Sequence, residues 1–164
     1  MRPDLARKLE PKITGWFAHE HPFDFAVGPT KYNEPPYRFM QGTTNIPGYH
    51  AALPGLKIIR EAGVDRIREK SKKMTARLIE LADQRGWKVN APRNPEQRGG
   101  TVAIDMPNPY EVCQELLRRD VVVDFRPKAG VRFSPHFYNT MEEIDQAIHA
   151  VDEILSGMRV AAAK

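Results

Sequence analysis

Cysteine is almost missing from this chain: Cys113 is the only one in 164 residues. A lone thiol closes no internal disulfide, so disulfide-stapled scaffolds are excluded and a packed core must hold the fold. Long apolar runs are missing as well. No stretch approaches the roughly 20 residues of a membrane-spanning helix, and the opening "MRPDLARKLEPKITGW" carries charges with no apolar segment behind them, unlike a secretory signal. The expectation is a cytoplasmic protein with no membrane partner. The five histidines, at 19, 21, 50, 136 and 149, make no ligand spacing such as H-E-x-x-H, so no metal site is expected. There is no G-x-S-x-G elbow, no Walker loop and no dinucleotide fingerprint, and no catalytic residue is assigned from motifs.

What is present is a globular composition, 41% hydrophobic and 28% charged, in a chain of a length that suits one domain with appendages. Lys and Arg outnumber Asp and Glu, 25 to 21, and the isoelectric point is about 9.3. The strongest basic cluster, "DRIREKSKKMTARLIE", interleaves acids and repeats Ile67, Met74, Leu78 and Leu81 at helical spacing. That pattern describes a solvated face opposite a core stripe. Without interleaved aromatics or a known motif, nucleic acid is not an expected partner.

The first 45 residues or so, with four prolines in "HPFDFAVGPTKYNEPPYRF", sustain no period and read as extended chain laid over a larger surface. A helix then opens in "TTNIPGYHAALPGLKIIREAG", capped by Thr44 or Asn45, interrupted in composition by Gly48, Pro54 and Gly55, and ending near Gly63. A second helix is predicted from about Asp65 to Arg85, stopped by Gly86. Next come two short strands, "WKVN" and "GGTVAIDM", then a helix in "NPYEVCQELLRRD" that places Cys113 in the core. "VVVDF" reads as a fully buried strand and "GVRFSP" as another. A capping box, Thr140 with Glu143, starts the last helix, which stacks Ile144, Ile148, Val151 and Leu155. The fold class is therefore α/β, an α+β sandwich with helices on one face of a small, mostly antiparallel sheet. Residues 63–157 form this domain, residues 1–62 precede it without a core of their own, and 158–164 form a tail.

Two stretches offer chemistry. In "RFMQGTTNIPG", Gly42, Thr43, Thr44 and Asn45 lead into a helix start, where free N–H groups and the helix dipole favour an anion such as phosphate; alternatively the polar side chains simply cap the helix. In "GVRFSPHFYNT", Arg132 stands between two apolar residues of a strand. Alternation turns it toward water with Ser134, or else it clamps a carboxylate with its planar guanidinium. His19 and His21, in "WFAHEHPF", are loop histidines that can donate hydrogen bonds near a ligand.

"GTTN" before a helix and "GVRFSPHFYNTMEEID" leading into the last one resemble the C-terminal part of the class V aminotransferase group of pyridoxal-phosphate enzymes, fold type I. Within that group, "RPDL", "LEPKITGWFAHEHPF" and "VVVDFRPKAGVRFSPHFYN" are most similar to the kynureninases. The resemblance implies that the chain is the small C-terminal domain with a remnant of the large cofactor domain and an interdomain helix. It implies pyridoxal 5′-phosphate as cofactor, an amino-acid substrate whose carboxylate meets Arg132, and Trp16, Gly42 and Thr43 at the cofactor, the threonine reaching the phosphate of the neighbouring subunit in a homodimer. The activity implied is hydrolysis of kynurenine to anthranilate and alanine. Class V amino-group transfer and a non-catalytic binding or oligomerisation module remain alternatives. No lysine here lies in the small, glycine-rich context of the Schiff-base lysine, so the expectation is a C-terminal portion separated from that lysine and inactive alone. A cysteine desulfurase fits less well, because its nucleophilic cysteine belongs on a mobile loop.

Overall fold

The computed structural model of the chain describes residues 1–162. It divides into two compact units, Met1–Leu56 and Lys57–Lys164.

In the first unit, a short helix α1 (Pro3–Lys8) has Pro3 in its first turn, where the missing N–H costs nothing, and Asp4 beside it at the positive end of the helix. Three single 3-10 turns follow, Trp16–Ala18, Pro22–Asp24 and Tyr37–Phe39. Otherwise the segment is irregular, as its prolines and lack of period predict. Only Ala6 and Ala18 are buried, whereas Phe23 and Phe25 are 68% and 74% exposed, so the unit has no aromatic core of its own. Helix α2 (Ile46–Ala62) starts in this unit and continues into the next. It forms despite Pro54, and none of its residues is buried.

The second unit holds the core. Helix α3 (Val64–Gln84) buries Met74, Leu78 and Leu81 of the stripe expected from its period, together with Ala82, leaves Ile67 half-buried, and turns its Lys and Arg residues away. Strands β1 (Lys88–Val89) and β2 (Val102–Asp105), helix α4 (Pro109–Arg118), strands β3 (Asp124–Arg126) and β4 (Gly130–Phe133) and helix α5 (Met141–Ala162) complete it. The sheet runs in the order β1-β2-β4-β3 and every pair is antiparallel. Period-two alternation sends Val102, Ile104, Val131 and Phe133 to one side, where they join the buried residues of α3, α4 and α5 in one cluster. Ala103 and Arg132, paired across β2 and β4, fall on the other face. Helices on one face of an antiparallel sheet is the architecture expected.

Two local expectations are corrected. "VVVDF" is not a buried strand: pairing begins only at Asp124, and Val122 is 89% exposed. Among the described residues β3 is an edge strand with β4 as its one neighbour, and continuing the register would set Val121 against Pro135, which has no N–H to donate. The expected tail is helical as far as Ala162, because after Gly157 the alanine-rich end contains no further stop; its last two residues lie outside the described residues. Arg98, unremarked in the sequence, is 4% exposed. Its guanidinium donates to Thr75 Oγ1 at 3.1 Å and to the carbonyls of Pro92 and Arg93 at 3.0 and 2.8 Å, pinning the loop between β1 and β2 onto α3. No helix among the described residues is long and apolar enough to cross a membrane.

Candidate functional site

Arg132 sits in the middle of β4, a central strand, directly opposite Ala103 on β2 and Asp124 on β3. The short β3–β4 hairpin creates this pairing, since Asp124 and Arg132 lie equally far from its turn. Facing residues on neighbouring strands approach within side-chain contact, and opposite charges there attract. Arg132 Nη2 donates to Asp124 Oδ2, and Arg126 Nη2 donates to the same oxygen at 3.0 Å. The Arg132 side chain is 39% exposed, on the face away from the core as alternation predicts, and the anion that meets it is a carboxylate of its own chain. The other oxygen, Asp124 Oδ1, is buried and accepts no hydrogen bond among the described residues. Sequence reasoning missed Asp124. The available signal was the "DFRPKAGVR" hairpin, which puts an acid and a base at mirror positions about one turn.

A cavity of about 710 Å³ opens beside this pair, lined among others by Val121, Asp124, Arg132, Ser134, Tyr138 and Glu143. Ser134 Oγ, just past β4, lies 3.1 Å from Thr101 Oγ1, just before β2. Glu143 is committed to the start of α5: it accepts the Thr140 N–H at 2.8 Å and Asn139 Nδ2 at 3.0 Å, and its own N–H donates to Thr140 Oγ1 at 3.2 Å. The expected capping box is therefore formed. Those bonds, the Thr140 N–H first, hold the Glu143 carboxyl below its ordinary range. Among the described residues the cavity is lined by one cationic side chain, Arg132, three carboxyl groups, Asp120, Asp124 and Glu143, and the hydroxyls of Ser134 and Tyr138, so Arg132 is the group there that can receive a carboxylate. Cys113 is 1% exposed on α4, and burial first, then the Asp124 charge, push its thiol up and away from the reactive thiolate.

The other expected residues lie in the first unit. Gly15 passes so close to Gln41 that a Cβ on it would stand 1.7 Å from the Gln41 carbonyl oxygen, and only glycine permits that approach. This crossing brings Trp16 to Gly42: a Cβ at Gly42 would lie 3.4 Å from Trp16 Nε1. The indole stacks on Phe17 at 4.3 Å and meets Phe23 edge-on at 5.3 Å. Thr43 follows, exposed. Of the cap candidates, Asn45 does the work, its Oδ1 accepting the Gly48 N–H at 3.0 Å. Among the described residues, the Thr43 hydroxyl and the N–H groups of Gly42, Thr43 and Thr44 have no hydrogen-bond partner. These donors, ahead of the positive end of α2, match the oxygens of a phosphate group. His19 is engaged locally, its Nδ1 accepting the His21 N–H at 3.0 Å.

A family model described as the kynureninase C-terminal domain matches residues 67–151. An uncharacterized aminotransferase, YcbU, of Bacillus subtilis (strain 168) is 34% identical over 154 residues, 94% of this chain and 39% of that protein. A kynureninase of Bacillus thuringiensis subsp. konkukian (strain 97-27) is 29% identical over 151 residues, 88% of this chain and 35% of the relative. Among solved structures, an apo cysteine desulfurase from Thermococcus onnurineus NA1 superimposes with a TM-score of 0.77 at 27% identity, over 96% of this chain and 42% of that one. The chain thus spans less than half the length of the relatives it matches.

Proposed function

The chain belongs to the kynureninase C-terminal domain family, and we propose that it is the carboxylate-binding part of a pyridoxal-phosphate-dependent hydrolase of the kynureninase type, acting in the cytoplasm on L-kynurenine to give anthranilate and alanine. The observation that carries this reading is Arg132, a half-exposed guanidinium at a cavity of about 710 Å³ with donors to spare. When bound, the cofactor supplies an electron sink for bonds at the substrate α-carbon. The chain's part is to position. Arg132 receives the α-carboxylate on two parallel N–H groups, which fixes the plane of the amino acid and so selects which bond is set for cleavage. Ser134 and Tyr138, at the same cavity, supply a hydroxyl pair and an aromatic wall for the remainder of the substrate. In the first unit, the Thr43 hydroxyl and the adjacent N–H groups hold the cofactor phosphate, with Trp16 and Gly42 shaping its approach. In a homodimer this segment serves the partner subunit.

A second reading, amino-group transfer between an amino acid and a 2-oxo acid, is favoured by the 34% identity to the uncharacterized aminotransferase. Titration of the purified chain, followed by NMR of 15N-labelled arginine side chains, separates the readings. The expected result is a saturable shift of the Arg132 signal with L-kynurenine, stronger than with L-alanine or pyruvate and lost in Arg132→Ala. Preference for pyruvate over L-kynurenine supports the transferase. No carboxylate binding at all overturns both and leaves a non-catalytic module.

A further inference from the structure

We propose that Asp124 is a positioning residue for Arg132, holding its guanidinium so that a two-donor edge stays open to the cavity; this rests on the reading of Arg132 as a carboxylate clamp. Three observations carry it. Asp124 faces Arg132 directly across the β3–β4 pair, so the contact is set by strand register and not by the chance reach of two long side chains. Only Arg132 Nη2 is engaged by Asp124, and Nε and Nη1 have no partner among the described residues. A guanidinium has five N–H groups, so after one is spent on Asp124 a complete parallel pair remains for an incoming carboxylate. Finally, Asp124 Oδ2 is shared with Arg126. Two guanidiniums on one carboxylate leave a formal charge of 2 − 1 = +1, so the anchor holds Arg132 without cancelling its attraction for an anion.

The orphaned Asp124 Oδ1 argues in the same direction. A carboxylate present only to stabilise the hairpin would be expected to have both oxygens hydrogen-bonded or in water, whereas here one is buried without a partner. Two further acids line the cavity, Asp120 and Glu143; among the described residues neither forms an ion pair or hydrogen bond with Arg132, and Glu143 is tied to the α5 cap. Asp124 is therefore the group that determines where the Arg132 guanidinium points. Without it, the long arginine stem samples other rotamers and each binding event must order it again.

The full 164-residue chain, 15N-labelled at arginine, provides the test, with L-alanine as probe. In the free chain, exchange of the Arg132 Nη protons reports rotation of the guanidinium. This should be slow in the wild type and fast in Asp124→Asn, a change of similar volume that keeps the fold even where Asp124→Ala does not. Affinity for L-alanine should fall about five- to tenfold in Asp124→Asn, and Asp124→Glu should recover part of the loss. Unchanged Nη exchange in Asp124→Asn, or L-alanine binding as tight as wild type or tighter, overturns the proposal and makes Asp124 a bystander or a competitor. The clamp reading fails separately: it falls if Arg132→Ala binds L-alanine as well as wild type, while the exchange measurement on the free chain still judges Asp124.

Discussion

Gly130 and Ile104 approach so closely that a Cβ on Gly130 would stand 2.1 Å from the Ile104 carbonyl oxygen. Gly130 also has φ of +93°, a conformation side chains rarely adopt, at the residue where β4 leaves its turn. An alanine there must push β4 off β2 or abandon the turn. Gly130→Ala should therefore cost more than about 3 kcal/mol, read as a fall in the urea midpoint. Because Arg132 lies two residues on, the same variant should also lose the Arg132 side-chain shift on carboxylate titration.

Arg85 and Asp152 join the end of α3 to α5 through a fork, Nη2 to Oδ2 at 2.6 Å and Nε to Oδ1 at 2.8 Å. The guanidinium also donates to the Leu81 carbonyl at 2.8 Å and lies 5.6 Å over the Trp87 ring. A lysine reproduces the charge but neither the fork nor the stacking. Arg85→Lys is expected to lose most of what Arg85→Ala loses, about 1 kcal/mol at this half-exposed site, measured by thermal unfolding at low and high salt.

Glu143 makes stability depend on acid. Its folded-state pKa is depressed, chiefly by the Thr140 N–H and then by Asn139, so its contribution is fully present above the unfolded value of about 4.3 and disappears as pH falls through the lower folded value. The melting temperatures of wild type and Glu143→Gln should differ at pH 6 and draw together as the pH is lowered through the acid range. Thr140→Ala removes the other half of the box and is expected to cost about 0.5–2 kcal/mol.

Cys113 should be inert in the folded chain. It is 1% exposed with its pKa raised by burial. Alkylation by iodoacetamide at pH 8 is expected to be slow in buffer and rapid in denaturant. Fast reaction in buffer would restore the possibility of a nucleophilic cysteine.

Most helices were legible because their signals are local. The α3 stripe, of which Met74, Leu78 and Leu81 are buried and Ile67 half-buried, the cap expected at Thr44 or Asn45 and formed by Asn45, and the Thr140–Glu143 box are each complete within a few residues. The site was half legible. Arg132 stood out as a charge in an apolar strand and Thr43 as a hydroxyl before a helix, but Asp124 did not, since an aspartate after three valines announces no partner until the hairpin register is known. "VVVDF" misled for a related reason: composition records how apolar a strand is, not whether it has neighbours on both sides.

By itself, then, the sequence determined the periods, caps and stops: where helices run, which face of each strand is apolar, and that Arg132 lies on the face opposite Val131 and Phe133. Tertiary structure alone decided the strand order β1-β2-β4-β3, and with it which strand is an edge and which acid faces Arg132. The division follows from reach. Helical periods and caps are written by residues up to about four apart, whereas strand pairing joins groups that become neighbours only when the chain folds back, and the charge partner of an arginine is chosen there.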